Sequence, residues 1–338
     1  MKLALRWPRL KLIAQALFYL LCAVYLLRWF RFNGAAVQAI WFEIDWQAAL
    51  GSLLLLAGSF LFLPGAMVLF MRAGGNRLSY AQSARAYYGS QPAKYLPGGV
   101  WVFPSRLVLM REMGFDLGVS SMALGFEMMT LIVSSLLVSL ITLGGAVGQV
   151  WQAAFQIFIV VACLGVVAVY ILLPELWQLV RARLSGPPFR RMSVGGRNSY
   201  RSRPDSSAGE LPPALQAIKP IPLPARLKLI LASVAMYGAM WLLAGFSFYL
   251  LFNSVSEMGG LDKVPLAIGV FAFAWLAGFI SVFSPGGIGV REGVIHLLLS
   301  PFVATPYPIA IALFSRVLWS LLEAIFFLIV LLIGRRSS

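Results

Sequence analysis

The sequence predicts an all-α protein, a polytopic membrane helix bundle of about eight spans in two four-helix halves, each half carrying a Pro-Gly-Gly break. Three observations predict it. Apolar residues make up 60% of the chain and charged residues only 12%, about half of what a soluble domain carries. The apolar residues arrive in runs longer than the ~18 residues that cross a bilayer as a helix. Basic residues gather in alternate connecting segments, as the positive-inside bias requires.

The first run, 11–30, follows Lys2, Arg6, Arg9 and Lys11. That pattern resembles a secretory signal, but the run is long, ends at Arg28 and Arg31, and has no small-residue cleavage site after it, so a retained helix is expected. Further spans are predicted at 48–71, 117–143, 153–173, 227–252, 264–283 and 309–333. An eighth stretch, 293–304, is short and contains Pro301, so it is expected to dip into the membrane or pack obliquely. Segment 72–116 carries Arg72, Arg77, Arg85, Lys94, Arg106 and Arg111 against Glu112 and Asp116. Segment 174–226 is rich in Arg, and the tail ends in Arg335 and Arg336. The other loops hold Glu43 and Asp45, no charge near 144–152, then Glu257, Asp262 and Lys263. Eight crossings with both termini in the cytoplasm satisfy this alternation, and the expected location is a cell membrane, a bacterial inner membrane.

One membrane domain, 1–338, is therefore expected, with halves at 11–173 and 227–335. Between them, 174–226 is dominated by Gly, Pro, Ser and Arg and reads as a basic, flexible cytoplasmic linker. Its cations suit anionic lipid head groups, or serve only to orient the chain. The net charge of +15 points to nucleic acid only in a soluble chain; its distribution over alternate loops excludes that partner here. Cys22 and Cys163 lie inside apolar runs, which argues against a disulfide or a metal site. The sole histidine, His296, lacks the neighbours of a metal centre and reads as a hydrogen-bonded or proton-relaying residue. Trp29, Trp41, Trp46 and Trp151 fall near span ends, where tryptophan anchors helices. No Gly-x-Ser-x-Gly, His-Glu-x-x-His or Cys-x-x-Cys motif is present, so no catalytic residue and no cofactor are assigned.

The most informative element occurs twice. Lys94-Tyr95-Leu96-Pro97-Gly98-Gly99-Val100-Trp101 and Ser284-Pro285-Gly286-Gly287-Ile288-Gly289-Val290-Arg291-Glu292 each follow the second span of their half, with the prolines 188 positions apart. Proline removes a backbone donor and glycine opens conformations closed to other residues, so the triplet breaks a helix. Interrupted segments at matching places in two halves point to a transporter's binding site. The spacing alone leaves open a second reading, tight turns at the cytoplasmic interface. Neither copy is a nucleotide loop, because no Gly-Lys-Ser/Thr follows it.

The segments KYLPGGVW and SPGGIGVREGV resemble the membrane region of the lysylphosphatidylglycerol synthase family, also called the flippase-like or UPF0104 family. The resemblance covers roughly 10–335 and implies an all-helical module that moves a lipid between leaflets. It picks out Lys94, Pro97, Gly98, Gly99 and Trp101, then Pro285, Gly286, Gly287, Gly289, Arg291 and Glu292. It also implies an acidic position at Glu127, where Met128 stands in place of an Arg frequent in relatives, and a basic one at Arg316. With Ser338 directly after the last span, the soluble aminoacyltransferase domain of some relatives is expected to be missing, and with it lipid aminoacylation.

Glu127 lies ~10 residues into its span, where burying an ionised group costs at least ~2.5 kcal/mol, so it should face a cavity or a partner. Arg291 or Arg316 is the expected partner. Arg316 and Glu323 are seven apart, on one helical face but two turns from each other. Together these residues suggest a lipid translocator or binding module. Lys94, Arg106, Arg291 and Arg316 would meet the phosphate of an anionic or polyprenyl-phosphate lipid, while Glu127, Glu292 and Glu323 orient those cations or exchange protons. Alternating exposure would come from rocking of the two halves. The alternative is a membrane transferase acting on a lipid-linked substrate, or an accessory subunit of a lipid-modifying enzyme.

Overall fold

The long helices of this chain follow its apolar runs, and three helices begin at a short polar side chain that caps them. The computed structural model describes residues 31, 44–73, 75–95, 100–144, 223–256, 259–281 and 284–336. Among them the regular α-elements are α1 (Trp46–Phe60), α2 (Gly65–Ala73), α3 (Tyr80–Ser90), α4 (Val102–Glu112), α5 (Leu117–Leu143), α6 (Leu223–Asn253), α7 (Val264–Ile280), α8 (Val290–Leu299) and α9 (Tyr307–Arg336). Asp45 caps α1 through the amides of Gln47 and Ala48, Asp116 caps α5 through Val119, and Ser79 with Gln82 forms a reciprocal capping box on α3.

Five stretches among the described residues are long and apolar enough to cross a membrane: Trp46–Ala73, Leu117–Leu143, Lys228–Asn253, Leu261–Ile280 and Tyr307–Ile333. They coincide with five of the predicted spans. The predicted spans 11–30 and 153–173 lie outside the described residues, as does the linker up to Pro222; Leu223–Arg226 already belong to α6. The predicted eighth stretch is α8, whose 10 residues reach only about 15 Å, half the thickness of a hydrocarbon core. Segment 72–116 is more than a loop. It folds into α3 and α4, 11 residues each and too short to span, so a helix separates the second span from the first break.

The first described span is interrupted at Pro64, which cannot donate to the helix ladder. The carbonyls freed around it find side-chain hydroxyls. Tyr88 donates to Phe60 O (2.6 Å), Tyr80 to Leu61 O (2.5 Å) and Ser83 to Pro64 O (2.7 Å), all three from α3. Tyr237 of α6 reaches Leu63 O at 3.2 Å. Exposed carbonyls cost several kcal/mol each in hydrocarbon, so this kink fixes where α3 must dock.

The core is a mutual packing of α5, α6 and α7, with α1 laid against α6. These helices come from both predicted halves, and small polar residues join them. Ser135 Oγ donates to Ala272 O (2.9 Å), Ser247 Oγ to Ser52 O (2.7 Å), and Trp241 Nε1 to Ser134 Oγ (3.1 Å). Membrane helices lack a hydrophobic drive toward one another, and such contacts let backbones approach closely. At Gly245 the approach is tightest to backbone: a Cβ there would lie 2.5 Å from the Ile268 Cα on α7. Gly245→Ala should therefore force α6 and α7 apart and destabilise by about 1–3 kcal/mol. Gly238→Ala, on the same helix with nothing within 4 Å of its Cβ, should leave stability unchanged or raise it. Thermal unfolding of the detergent-solubilised variants checks the contrast.

Candidate functional site

The second Pro-Gly-Gly segment is a turn that only glycine can make. Gly286, Gly287 and Gly289 have φ of 62°, 73° and 86°, in the left-handed region. The turn closes through Gly287 N–H to Ser284 O (2.9 Å) and Ser284 Oγ–H to Ile288 O (2.5 Å). Glu292 Oε2 accepts the Gly289 N–H at 2.6 Å and so caps α8. The turn also presses on α7: a Cβ on Gly287 would stand 2.9 Å from the Gly278 Cα. In the first segment, Gln91–Tyr95 form one short 3₁₀ turn after α3, while Pro97, Gly98 and Gly99 lie outside the described residues.

Helix α9 holds the second break and the residues just before the first. Arg316 Nη2 donates to Gly286 O at 2.6 Å, and Lys94 of the first segment is ion-paired with Glu323. Tyr95 also reaches Glu323 (3.4 Å), and a Cβ on Gly286 would lie 3.4 Å from the Tyr95 ring. Arg316 and Glu323 are the tenth and seventeenth of the 30 residues of α9, which leaves at least ~13 Å of helix on either side. The second break and the residues that lead into the first therefore contact the middle of a long apolar helix, away from its ends.

The predicted charges assemble around this meeting point in a different pairing from the one expected. Glu127 is fully buried, and its partner is neither Arg291 nor Arg316. Arg106 Nη1 bonds both its carboxylate oxygens (3.0 and 3.1 Å), and the Tyr237 hydroxyl lies 3.3 Å away. Arg106, itself 3% exposed, stacks on the Tyr87 ring at 4.2 Å and reaches Ser90 Oγ at 3.4 Å. Arg316 Nη1 lies 3.7 Å from Glu292, and Arg316 does not pair with Glu323. Glu323 instead gathers Lys94, Tyr95 and the Trp319 Nε1–H (2.7 Å).

Arg291 stands apart from these pairs. It is 5% exposed, and its guanidinium lies against the adjoining rings of Phe271 (4.6 Å) and Trp319 (4.9 Å). Two aromatic faces stabilise a cation there. They leave the in-plane N–H donors to be satisfied, and Nη2 is buried with no acceptor among the described residues. An orphaned donor of this kind costs about 1–3 kcal/mol until an acceptor arrives.

A cleft of about 170 Å³ opens among these groups, with Lys94, Arg106, Arg291, Arg316 and Glu323 in its walls beside Trp275, Phe279 and Trp319. It lies between α4, α7 and α9, with Gly286 and Gly287 of the second break on its rim. Typical small-molecule sites span about 300–1,000 Å³, so this one suits a head group rather than a whole lipid. No group of three or more His, Cys, Asp or Glu side chains that could hold a metal occurs among the described residues. His296 sits on α8 with a buried Nδ1 that finds no partner among the described residues.

The model for the lysylphosphatidylglycerol synthase TM region matches residues 12–332, across both breaks and every span named above. The chain belongs to that family. No curated protein matches it. Membership makes the chain an integral, multi-pass membrane protein acting on lipids.

Within this lysylphosphatidylglycerol synthase membrane region, the sequence analysis missed the aromatic half of the site. Trp319 was legible, because it lies four residues before Glu323 and hence on the same helical face. Phe271, Tyr87 and Tyr237 carry no such signal, since each meets its cation or carboxylate across helices. Trp101, picked out by the resemblance, is 49% exposed just before α4. Removing one member of the buried Arg106–Glu127 pair should cost about 3–5 kcal/mol by stranding the other. Arg106→Leu and Glu127→Leu together should cost clearly less than the sum of the singles in thermal unfolding. Full additivity would show that the pair contributes no coupling.

Proposed function

We propose that this chain binds a lipid with an anionic or polyprenyl-phosphate head in the cleft and moves it between leaflets. The observation that carries the reading is the second helix break, held at the middle of a long apolar helix beside a cleft walled by four cations. Discontinuous helices at mid-membrane, facing polar groups, are the usual setting of a transported head group. The cleft admits the head while the chains stay in hydrocarbon, which is the arrangement that leaflet exchange requires. The serine-laced contacts of α5, α6 and α7 tie the two halves together, so rocking of rigid halves is a poor description of the motion. The short elements α3, α4 and α8, which cover the breaks without spanning, are the better movers. The distribution of basic loops supports an orientation with that side in the cytoplasm, in a bacterial inner membrane. Direction would follow from an ion gradient or from an enzyme that consumes the lipid on one side.

Leaflet exchange in proteoliposomes tests this directly, with fluorescent analogues and native lipid extracts. Wild type should exchange a subset of anionic lipids. Arg291→Ala and Glu127→Gln, once shown to fold and reconstitute equally, should slow exchange by about tenfold, the rate effect of ~1.4 kcal/mol. Folded wild-type protein that exchanges no tested lipid would overturn the reading. Mass spectrometry of the same lipids, showing covalent change dependent on Glu127 or Glu292, would replace it with a transferase.

A further inference from the structure

The Tyr237 hydroxyl has one hydrogen and two acceptors to serve. It belongs to a fully buried side chain on α6 and lies 3.2 Å from the Leu63 carbonyl at the Pro64 kink and 3.3 Å from Glu127 Oε1. A backbone carbonyl and an ionised carboxylate can only accept, so they compete for that one hydrogen. In a bilayer core no water serves the loser. A proton on Glu127 removes the conflict. The acid O–H then donates to the Tyr237 oxygen, Tyr237 donates to Leu63, and each acceptor has its own hydrogen. The other carboxyl oxygen stays 3.1 Å from Arg106 Nη1.

We infer that Glu127 is a proton-binding site whose proton sets the charge that Arg106 presents to the cleft. The inference rests on the reading of the cleft as the place of an anionic head, and it adds the coupling ion. Arg106 lines the cleft, whereas Glu127 lies behind it on α5. While Glu127 is ionised, it neutralises Arg106. When it takes a proton from water, one O–H bond forms on the carboxylate and Arg106 loses its counter-charge. Arg106 keeps the Tyr87 ring at 4.2 Å and Ser90 Oγ at 3.4 Å, and the cleft gains an uncompensated cation. By linkage, proton and anion each raise the affinity for the other. The surroundings leave this role to Glu127, the only ionisable side chain of α5. Of the elements packed closely on α5, α7 has no ionisable group and α2 has only the exposed Arg72 in its last turn. Helix α6 brings Tyr237, its other ionisable groups lying more than two helical turns away. Helix α4 brings Arg106, stacked on Tyr87 of α3, and ends in the exposed Arg111 and Glu112.

Infrared pH-difference spectra of the full chain read this proton directly, in a maltoside detergent that has no carbonyl band of its own. Between about pH 8 and about pH 5 exposed carboxylates stay largely ionised, so a carboxylic-acid band gained on acidification reports a buried group. Wild type should gain such a band and Glu127→Gln should lack it. Tyr237→Phe should shift its frequency, because the acid loses its phenolic acceptor. Binding of phosphatidylglycerol, whose phosphodiester keeps its charge throughout, should tighten by about tenfold across that range, a usual size for coupling between two sites. Glu127→Gln, which holds the neutral form, should bind at the tight level at either pH. Thermal unfolding checks that both variants fold. A wild-type spectrum without the band overturns the inference whatever the variants do. So does a band that persists in folded Glu127→Gln, or one left unshifted in folded Tyr237→Phe. The two readings separate cleanly. A Glu127 band without binding of any anionic lipid leaves the proton site and sinks the head-group reading of the cleft, whereas pH-independent binding without the band does the reverse.

Discussion

A backbone carbonyl or amide that leaves its helix inside a membrane has no water to turn to, and this constraint organises the whole molecule. It acts at two places. At Pro64 the freed carbonyls of Phe60, Leu61, Leu63 and Pro64 are met by Tyr88, Tyr80, Tyr237 and Ser83. At the second break the carbonyl of Gly286 is met by Arg316 and the amide of Gly289 by Glu292. Each solution docks one element on another: α3 and α6 on the kink, α9 on the turn. The short helices are held at depth because irregular backbone there must be covered.

The same constraint explains the charges. Ionised groups at mid-membrane persist when each has a partner and a hydrogen-bonded surround. Glu127 has Arg106 and Tyr237, and Glu323 has Lys94, Tyr95 and Trp319. Arg316 serves both purposes at once, since one nitrogen of its guanidinium satisfies the Gly286 carbonyl while the other faces Glu292. Lysine, a point charge without a planar fork, cannot do both in that geometry. The glycines of the turn and the arginine on α9 are thus parts of a single arrangement.

Much of this was legible in the chain and some was not, for physical reasons. Apolar runs announce spans because bilayer thickness fixes their length, and five of the predicted spans stand where the sequence placed them. The second break was legible because Pro285, Gly286, Gly287 and Gly289 together permit few conformations. Helices α3 and α4 were not, since 11-residue segments with mixed polarity fall below the length at which apolar runs stand out. The partner of Glu127 was misread because sequence gives the depth of a residue along its span but not the direction it faces. Arg106 reaches it from α4, an element absent from the sequence reading. Arg291 was picked as a site residue, but its packing against Phe271 and Trp319 depends on three helices meeting, which no local pattern encodes.

Because α9 grips both the second break and the turn at Lys94 that precedes the first, those two elements cannot change independently. Lys94 belongs to the turn after α3, and Gly286 to the turn between α7 and α8, yet their holds on α9 lie only two helical turns apart, at Glu323 and Arg316. A shift of α9 along its axis would disturb both contacts together. Trp319 lies against Arg291 and also donates to Glu323, so a change at Arg291 is felt at the Lys94 pair through a single indole. Coupling of this kind needs only neighbouring side chains that compete for the same charges, and no long pathway. The rigid serine-joined core of α5, α6 and α7 gives those short elements a fixed frame to move against.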